Sequence, residues 1–341
     1  MLGPVRRVGQ SRADPRAPAA RLGVMSASPD PLFARLKARL LLALTWLAGR
    51  LPRRWLRGAG ARIGARSARR NSRDFRITRR NLELTATGTT QGERAALAEA
   101  ILAHTWATLL ETLRVWSRPP TEALQLVGAV HGLEHYRAAR EGGRGLMIAT
   151  PHYGNWELLA LYLASLDPLA VLYRPPDSRA GDLYMHRVRS APGVTPVRAD
   201  ANGVRQLVKR LRGGGVVGIL PDQQPKAGEG EFAPFFGQPA LTMTLYSKLA
   251  ARTGAAMLVA FTELQADGRY AVHFQPMPVA VAGDDPAALA ALNRTIEAVA
   301  SRDPSQYQWT YKRFKIRPPG TVPDNPYWPD CYGRASPRSR G

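Results

Sequence analysis

Short apolar runs alternate with amphipathic stretches between about residue 145 and residue 300. Each run is bounded by polar or turn-forming residues, which is typical of buried β-strands. The predicted strands are Gly145–Ala149, Leu169–Tyr173, Val216–Leu220, Ala256–Phe261 and Tyr270–Phe274. The predicted helices are Trp156–Leu166, Leu183–Ser190, Gly203–Leu211, Thr242–Arg252 and Pro286–Ala300. This alternation predicts an α/β fold with a mixed, mostly parallel sheet that is covered by helices.

The amino-terminal half of the chain lacks this alternation. Residues 62–80 are densely basic, and they precede a predicted helix from Glu93 to Trp116. Neither an internal repeat nor a clear linker divides the rest of the chain, so we expect one α/β domain over residues 59–319. The Pro-rich residues 320–341 are expected to form a flexible tail.

Residues 1–30 are rich in Arg, Pro, Ala and Ser and show no apolar periodicity. A segment of this composition cannot bury enough apolar surface to fold, so we predict that it is disordered. Met25 offers an alternative start, in which case the preceding residues are a mis-assigned extension. In both cases the folded chain is expected to begin near residue 31.

The apolar run Leu40–Ala48 has arginines on both sides. A membrane-spanning helix needs roughly 20 apolar residues, and this run is too short. We therefore expect residues 31–58 to form a membrane-associated helix that lies in the interface, with Trp46 and Trp55 at the level of the lipid headgroups. A first helix that packs into the core with charged flanks is the alternative.

The charge of the chain is its most unusual bulk property. The formal net charge is +22 and the isoelectric point is near 11.1, while a hydrophobic content of 45% is enough to build a core. Such a charge implies attraction to nucleic acid, to anionic lipid or to an acidic protein, and it does not choose among them.

The segment from Gly145 to Glu157 carries the main candidate chemistry. In open α/β sheets ligands bind at the carboxyl ends of strands, and His152 lies at such an end. Asn155 is a suitable N-cap, which places Glu157 in the first helical turn. With His152 in the turn, Glu157 can reach back to one imidazole nitrogen and leave the other free to take a proton from a hydroxyl. A structural histidine in a turn is the alternative.

Two further polar residues follow predicted strands. Arg174 comes directly after Leu169–Tyr173, and Asp222 lies two residues after Val216–Leu220. Both positions suit an active site at the strand ends. A surface cation at Arg174 and ordinary Pro-Asp turn chemistry at Asp222 are the alternatives.

Other kinds of centre are not expected. His186 and His273 have no ligand-like spacing to His152, whereas a zinc site needs three or four ligands. The single cysteine, Cys331, excludes an internal disulfide framework and a Cys-based zinc cluster. Neither a Gly-x-Ser-x-Gly elbow nor a Walker motif is present, which argues against a serine hydrolase or a nucleotide-driven enzyme.

The residues from His152 to Glu157 resemble the H-x-x-x-x-[DE] box of glycerolipid-type acyltransferases. Six further blocks follow in order. They are Tyr-Arg-Pro at 173–175, Leu-Val-Lys-Arg-Leu-Arg at 207–212, Pro-Asp-Gln at 221–223, Pro-Phe-Phe-Gly at 234–237, Gln-Tyr-Gln-Trp at 306–309 and Lys-Arg-Phe-Lys-Ile-Arg-Pro at 312–318. Together they resemble the blocks of the lipid A lauroyl/myristoyl acyltransferase family, over roughly Leu32 to Pro319.

This resemblance implies transfer of a fatty acyl chain from acyl carrier protein to a hydroxyl of a phosphorylated lipid A precursor, at the cytoplasmic face of the inner membrane. It implies no cofactor and no metal. Under it His152 is the catalytic general base, Glu157 is its orienting partner, and Arg174 and Asp222 bind substrate or position the catalytic groups. The positive charge of the chain would then attract both an acidic carrier protein and a phosphorylated acceptor.

The chain departs from the family pattern at two places. Pro176–Ser178 stand where the family often has Asn, and Tyr311 stands where the family often has His. A lysophospholipid, a glycolipid or another hydroxyl acceptor is therefore an alternative to lipid A. A basic nucleic-acid-binding protein with a structural His152 is a third hypothesis, but nothing in the chain resembles a nucleic-acid-binding motif, and we expect no nucleic acid partner.

Overall fold

The computed structural model describes residues 31–88, 90–283 and 286–332. The predicted disordered extension 1–30 lies outside the described residues, as do residues 333–341 of the predicted tail. The described residues form a seven-stranded sheet with helices on both faces, a separate two-stranded hairpin and a bundle of amino-terminal helices. The α/β prediction is therefore confirmed.

The basic amino-terminal region is helical. Its helices are α1 (Pro31–Ala48), α2 (Arg53–Arg69), α3 (Arg73–Leu84), α4 (Gln91–Ser117) and α5 (Pro120–Leu124). Two of them begin at side-chain caps: the Ser72 hydroxyl accepts the Phe75 N–H at 3.2 Å, and Thr90 and Glu93 form a reciprocal capping box. Caps of this kind satisfy backbone donors that have no partner within the helix.

Strands and helices then alternate as the hydrophobic pattern predicted. The elements are β1 (Val127–His131), α6 (Leu133–Glu141), β2 (Leu146–Ala149), α7 (Trp156–Leu166), β3 (Leu169–Tyr173), α8 (Arg179–Arg189), β4 (Val194–Arg198), α9 (Ala201–Arg212), β5 (Val216–Ile219), β6 (Gly230–Phe235), β7 (Gln238–Met243), α10 (Leu245–Thr253), β8 (Ala256–Leu264), β9 (Tyr270–Pro276) and α11 (Pro286–Ala300). All five predicted strands and all five predicted helices are present, some with shifted ends.

The main sheet has the strand order β1-β9-β8-β2-β5-β3-β4. All its pairs are parallel except β8 with β9. The central strand β2 is buried along its whole length and pairs with β5 in register, so that Ala149 lies beside Ile219. The carboxyl ends of β2 and β5 are therefore neighbours, and this pairing decides where the polar residues beyond them meet.

Three features of the fold were not predicted: the strands β1 and β4 of the main sheet, and the hairpin of β6 and β7. The hairpin is a separate antiparallel pair in which Pro234 lies opposite Pro239. Proline lacks the N–H that a strand ladder uses, which weakens the strand signal of this segment. Phe236 and Gly237 form the turn with positive φ angles of 48° and 71°. The side chain of Phe235 is buried in the main core cluster.

Helices α2 and α4 pack closely because glycines face the contact. A Cβ on Gly60 would lie 2.4 Å from the backbone oxygen of Trp106, and a Cβ on Gly64 would lie 2.4 Å from that of Leu102. Real Cβ atoms do not approach backbone this closely, so only glycine permits this helix separation. The resulting helix pair supports α4, whose carboxyl-terminal half reaches the candidate site.

Helix α1 packs its small side chains inward and leaves its large apolar side chains exposed. Ala34 and Ala38 are buried, whereas Leu36, Leu40 and Leu47 are 56–64% exposed. Among the described residues, none of the helices combines the length and the apolar character that crossing a bilayer requires. Association of α1 with a membrane therefore stays a prediction.

Two predicted boundaries are wrong. Residues 31–58 are not one helix, because α1 ends at Ala48 and α2 begins at Arg53 after Pro52, whose ring cannot continue a helix. Residues 320–332 are not a flexible tail, since Tyr327 and Cys331 are buried in the main core cluster.

Candidate functional site

His152 and Asp222 meet beyond the carboxyl ends of β2 and β5. Each lies three residues past the last residue of its strand, and those last residues, Ala149 and Ile219, are paired in register. The Asp222 carboxylate binds His152 twice: Oδ2 accepts the backbone N–H at 2.8 Å, and Oδ1 lies 2.7 Å from Nδ1. Because a carboxylate only accepts hydrogen bonds, the proton of a neutral imidazole lies on Nδ1 and Nε2 is left as the acceptor.

The turn that carries His152 is fixed against β8. Gly154 has a φ of +57°, and a Cβ there would lie 1.9 Å from the backbone oxygen of Thr262. The Thr262 hydroxyl accepts the backbone N–H of Asn155 at 2.8 Å, and the Asn155 side chain accepts the Leu158 N–H at 3.1 Å. The predicted N-cap at Asn155 is confirmed, and it starts α7 directly after the turn.

A short segment of the carboxyl-terminal region holds the same turn from another side. The backbone oxygen of His152 accepts the N–H of Gln308 at 2.9 Å, and the N–H of Gly154 donates to the oxygen of Gln306 at 3.0 Å. Tyr153 and Tyr307 form an isolated antiparallel bridge between these bonds. The Gln-Tyr-Gln-Trp block therefore acts structurally, as a main-chain clamp on the histidine turn.

Asp222 lies in a buried setting that still favours its ionised form. Its residue surface is 2% exposed. Burial raises the pKa of the carboxyl, but the charge of His152 and the hydrogen bonds from its ring and backbone outweigh burial, and the pKa lies below its ordinary value. Burial, followed by the negative charge of Asp222, raises the pKa of the nearby Tyr307 hydroxyl well above its ordinary value. That phenol therefore stays protonated and can donate to Asp222.

A buried arginine lies behind Asp222. Arg313 is 4% exposed and donates to the backbone oxygen of Leu241 at 2.6 Å and to the Thr242 hydroxyl at 3.0 Å. Its Nε has no partner among the described residues, and it lines a small cavity of about 10 Å³ together with Asp222 and Tyr307. Burial lowers the pKa of Arg313 against the opposing effects of Tyr307 and Asp222. The negative charge of Asp222 thus favours the charged form of the guanidinium.

Two glutamines lie beside Nε2 of His152. The Gln223 amide nitrogen is 3.2 Å from His152 Nε2, and the same nitrogen donates to Gln308 Oε1 at 3.1 Å. With the imidazole proton on Nδ1, the Gln223 amide can donate to the free Nε2. An incoming hydroxyl has to displace this amide to reach the base.

The predicted contact between Glu157 and His152 is wrong. Both carboxylate oxygens of Glu157 have other partners: Oε1 accepts from Arg189 at 2.5 and 2.9 Å, and Oε2 accepts from the Trp116 indole at 3.1 Å. The first helical turn of α7 directs Glu157 toward α4 and α8. Each helical residue is rotated by about 100° from the one before it, so the side chain of Glu157 points away from the turn that carries His152. Asp222 takes the orienting position that was assigned to Glu157.

His152, Glu157 and Gln223 border one large cavity. Its volume is about 1060 Å³, which is at the upper end of the range for small-molecule sites. Its polar end is lined by His152, Glu157 and Gln223, and by the exposed Arg174. Its apolar wall runs along α7, β3, β4 and β5 and includes Leu159, Leu163, Leu169, Val171 and Val194. An extended apolar chain with a polar head fits this division.

Helix α1 closes part of the same cavity. Leu42 and Trp46 line it, and the Thr45 hydroxyl is 2.7 Å from the Tyr184 hydroxyl of α8. The ring of Trp116 meets that of Tyr184 edge to face, with centroids 6.1 Å apart. Helix α1 therefore has an exposed apolar face and also forms part of the cavity wall.

The chemistry of the site does not resemble that of a metal centre. Within the part of the chain that the structure describes, no three side chains of His, Cys, Asp or Glu are grouped as metal ligands. His186 and His273 lie elsewhere, on α8 and β9. What the site offers is a histidine with a buried carboxylate, a second ring nitrogen that can accept a proton, and an adjoining apolar space. This arrangement can deprotonate a hydroxyl.

Sequence reasoning missed several residues of the site. Gln223, Gln308 and Arg313 lie inside sequence blocks that were recognised, but nothing in the spacing showed that they face His152 or Asp222. Arg189 carried no signal, since it ends a helix rich in basic residues. Arg174 lines the cavity as expected, but among the described residues no hydrogen bond links it to His152 or Asp222.

The chain has relatives of known activity. The family described as bacterial lipid A biosynthesis acyltransferase matches residues 31–316. The lipid A biosynthesis palmitoleoyltransferase of Escherichia coli (strain K12) is 30% identical over 281 residues, which cover 82% of this chain and 91% of that protein. The lauroyltransferase of the same organism is 28% identical over 284 residues, with the same shares covered. The myristoyltransferase is 24% identical over 267 residues, 77% of this chain and 81% of that protein.

Proposed function

Since the chain belongs to the bacterial lipid A biosynthesis acyltransferase family, we propose that it transfers a fatty acyl chain from acyl carrier protein to a hydroxyl of a lipid A precursor. The observation that carries this mechanism is the pair of His152 and buried Asp222 at the polar end of a large, mainly apolar cavity. His152 is the general base, and Asp222 is the residue that orients it.

The reaction needs one proton acceptor and no covalent enzyme intermediate, because a thioester is already activated. His152 Nε2 takes the proton of the acceptor hydroxyl while the oxygen attacks the thioester carbonyl carbon. The tetrahedral intermediate collapses, the carbon–sulfur bond breaks, and the imidazolium returns its proton to the leaving thiolate. The products are an ester and a free thiol. Asp222 holds the Nδ1 proton throughout and stabilises the imidazolium.

The shape of the cavity supports an acyl chain as the buried part of the substrate. Apolar surface gains roughly 25 cal/mol for each Å² that leaves water, so a fatty chain has a strong preference for the wall formed by Leu159, Leu163 and Val171. With the chain in this space, its carbonyl group lies at the polar end, beside His152. This orientation brings the acyl carbon to the base without any movement of the sheet.

Arg174 is the residue best suited to a phosphate of the acceptor. It lies at the polar end of the cavity, directly after β3, and its side chain is exposed. A guanidinium with free donors binds a phosphate through two parallel hydrogen bonds. Glu157 has a positioning role: by holding Arg189 and Trp116 it fixes α8 and α4 at the cavity wall.

The donor and the membrane are proposed from charge and exposure. A formal net charge of +22 suits an acidic carrier protein and the anionic cytoplasmic face of the inner membrane. The exposed leucines of α1 are accompanied by exposed Arg35, Arg39, Arg50 and Arg54, which is typical of a helix that lies in the membrane interface. Because α1 also borders the cavity, a lipid acceptor can enter from the membrane beside it.

A lysophospholipid or glycolipid acceptor is the second candidate. Tyr311, which replaces a residue that is often His in the family, lines the cavity and donates from its hydroxyl to the backbone oxygen of Gln224 at 3.1 Å. This substitution changes the polar end of the cavity, where the acceptor binds, and leaves His152 and Asp222 unaffected. The second candidate therefore keeps the mechanism and changes only the acceptor.

The test is acyl transfer by detergent-purified protein from lauroyl- and myristoyl-acyl carrier protein, with a lipid A precursor and a lysophospholipid offered in parallel. We expect product on the lipid A precursor and its loss in His152→Ala. The matched control is His135→Ala, because His135 is exposed on α6 away from the cavity. Product on the lysophospholipid alone would favour the second candidate. Full turnover in folded His152→Ala would contradict the mechanism.

A further inference from the structure

Gly218 occupies an unusual position for a glycine. It lies inside β5, where β2 and β3 pair with it on either side through Ile148 and Val171. The neighbouring residues of β5 are fully buried valines and an isoleucine. Glycine weakens a central strand because it packs no side chain, so a glycine here indicates that something else approaches the backbone closely.

Several other glycines of the fold are explained by close backbone contacts. A Cβ on Gly145 would lie 2.3 Å from the oxygen of Leu211, and one on Gly203 would lie 1.8 Å from the oxygen of Arg198. Gly218 is different. A Cβ there would meet only Leu169 Cδ1 at 3.6 Å and Val171 Cγ2 at 3.8 Å, which are ordinary contacts with two residues that also line the cavity. A side chain here would therefore not collide with backbone, and its absence leaves room in the cavity that Gly218 lines.

That open space lies partway along the apolar part of the cavity. Gly218 lies on β5 four residues before Asp222, which follows the strand, so the two Cα atoms are at most about 13 Å apart. Leu169 pairs with Val216, two residues farther from Asp222, and it lines the cavity as well. The cavity thus continues past Gly218 toward the amino-terminal ends of β3 and β5.

We propose that Gly218 determines the length of the acyl chain, because its bare backbone lets the chain pass to the deep end of the cavity near Leu169. This inference rests on the proposed function, and it adds the residue that selects among donors. A side chain at position 218 points into the cavity and closes the space beyond it. The fatty chain that still fits must then end before this strand position.

The test is a competition among octanoyl-, lauroyl-, myristoyl- and palmitoyl-acyl carrier protein, with products identified by mass spectrometry. We compare the wild-type protein with Gly218→Ala and Gly218→Val. One methylene in an apolar pocket changes discrimination by about tenfold or more. We therefore expect Gly218→Val to shift preference from the longest accepted chain to a shorter one by at least about tenfold, with Gly218→Ala between the two.

The matched control is Val217→Ile on the opposite face of the same strand. Val217 is buried in the core cluster of the other face, and its side chain does not line the cavity. We expect this change to leave the chain preference as it is, even if it lowers stability. Gly218→Ala adds a single methyl group at ordinary contact distance, so it provides a folded variant if Gly218→Val does not fold.

The outcomes separate this inference from the proposed function. A shift toward shorter chains in the Gly218 variants, absent in Val217→Ile, supports the inference. An active protein whose preference is the same with alanine or valine at position 218 overturns the inference alone. A wild-type chain that transfers no acyl group from any donor overturns the proposed function and this inference with it.

Discussion

Two acidic residues near His152 have opposite surroundings. Asp222 is nearly inaccessible, and its carboxylate holds both the ring and the backbone of His152. Glu157 follows His152 by only five residues, but its carboxylate binds Arg189 and Trp116 on other helices. The difference shows that adjacency in the sheet, and not proximity in the sequence, selects the partner of the histidine.

The reason is geometric. His152 and Asp222 extend from two neighbouring parallel strands by the same number of residues, so the register of β2 and β5 brings them together. Glu157 lies beyond a tight turn and on a helix, and that helix rotates its side chain away from the turn. The comparison predicts that the two carboxylates differ in function: Asp222 supports catalysis, and Glu157 supports the cavity wall.

Asp222→Asn should give the largest loss of activity. The amide cannot hold the Nδ1 proton of a cationic imidazole as a carboxylate does, so we expect kcat to fall by about 10³-fold. The measurement is steady-state transfer, with the melting temperature as a check on folding. A fall of less than tenfold would remove Asp222 from the mechanism.

Arg313→Met should give the next largest effect. It removes the positive charge behind Asp222 and keeps an apolar side chain in the buried space. Without that charge the protonated form of the coupled His152–Asp222 pair is favoured, so the acid limb of the pH–rate profile should move to higher pH by about one unit. A merely structural role predicts a lower melting temperature with an unchanged limb. Arg140→Met is the control, because Arg140 pairs with Asp167 and lines neither cavity.

Glu157→Gln should reduce activity less than Asp222→Asn does. It breaks the pair with Arg189, so we expect a loss of about 1–3 kcal/mol of folding stability and a decrease of less than about tenfold in kcat. Arg189→Met should have the same effect, and the double variant should cost less than the sum of the two. A loss in kcat as large as that of Asp222→Asn would contradict the division of roles.

The smallest expected effect is on the pH dependence of folding stability, compared between the wild-type protein and Asp222→Asn. The pKa of Asp222 is lower in the folded protein than its ordinary value near 3.9, so the ionised carboxylate stabilises the fold above that pH. This contribution is lost as the pH falls through the lower, folded-state pKa. The stability advantage of the wild-type protein over Asp222→Asn, measured by denaturant unfolding, should therefore narrow below about pH 4. An advantage that grows on acidification would contradict this.

Much of the fold could be predicted because it depends on local patterns. The buried strands β2, β3 and β5 are short continuous apolar runs, and α7 follows a clear N-cap at Asn155. The hairpin of β6 and β7 was missed because its prolines weaken the strand signal. The packed segment around Tyr327 was missed because its burial depends on α3, which is distant in the sequence.

The candidate site was predictable in its members but not in its contacts. His152, Arg174 and Asp222 all follow strands, and strand ends are recognisable from sequence. The contact of His152 with Asp222 spans 70 residues and depends on the strand order, which the sequence alone did not supply. The contact of Glu157 with Arg189 depends equally on the placement of α8.

The most direct test of the central claim is to observe the Nδ1 proton of His152. The chain has six histidines, so an NMR spectrum of protein labelled with ¹⁵N-histidine contains few side-chain signals. The signal of His152 can be assigned by its absence in His152→Gln. The account predicts a hydrogen-bonded Nδ1 proton that persists in Glu157→Gln and is lost or strongly shifted in Asp222→Asn. A signal that is unchanged in Asp222→Asn and lost in Glu157→Gln would contradict it.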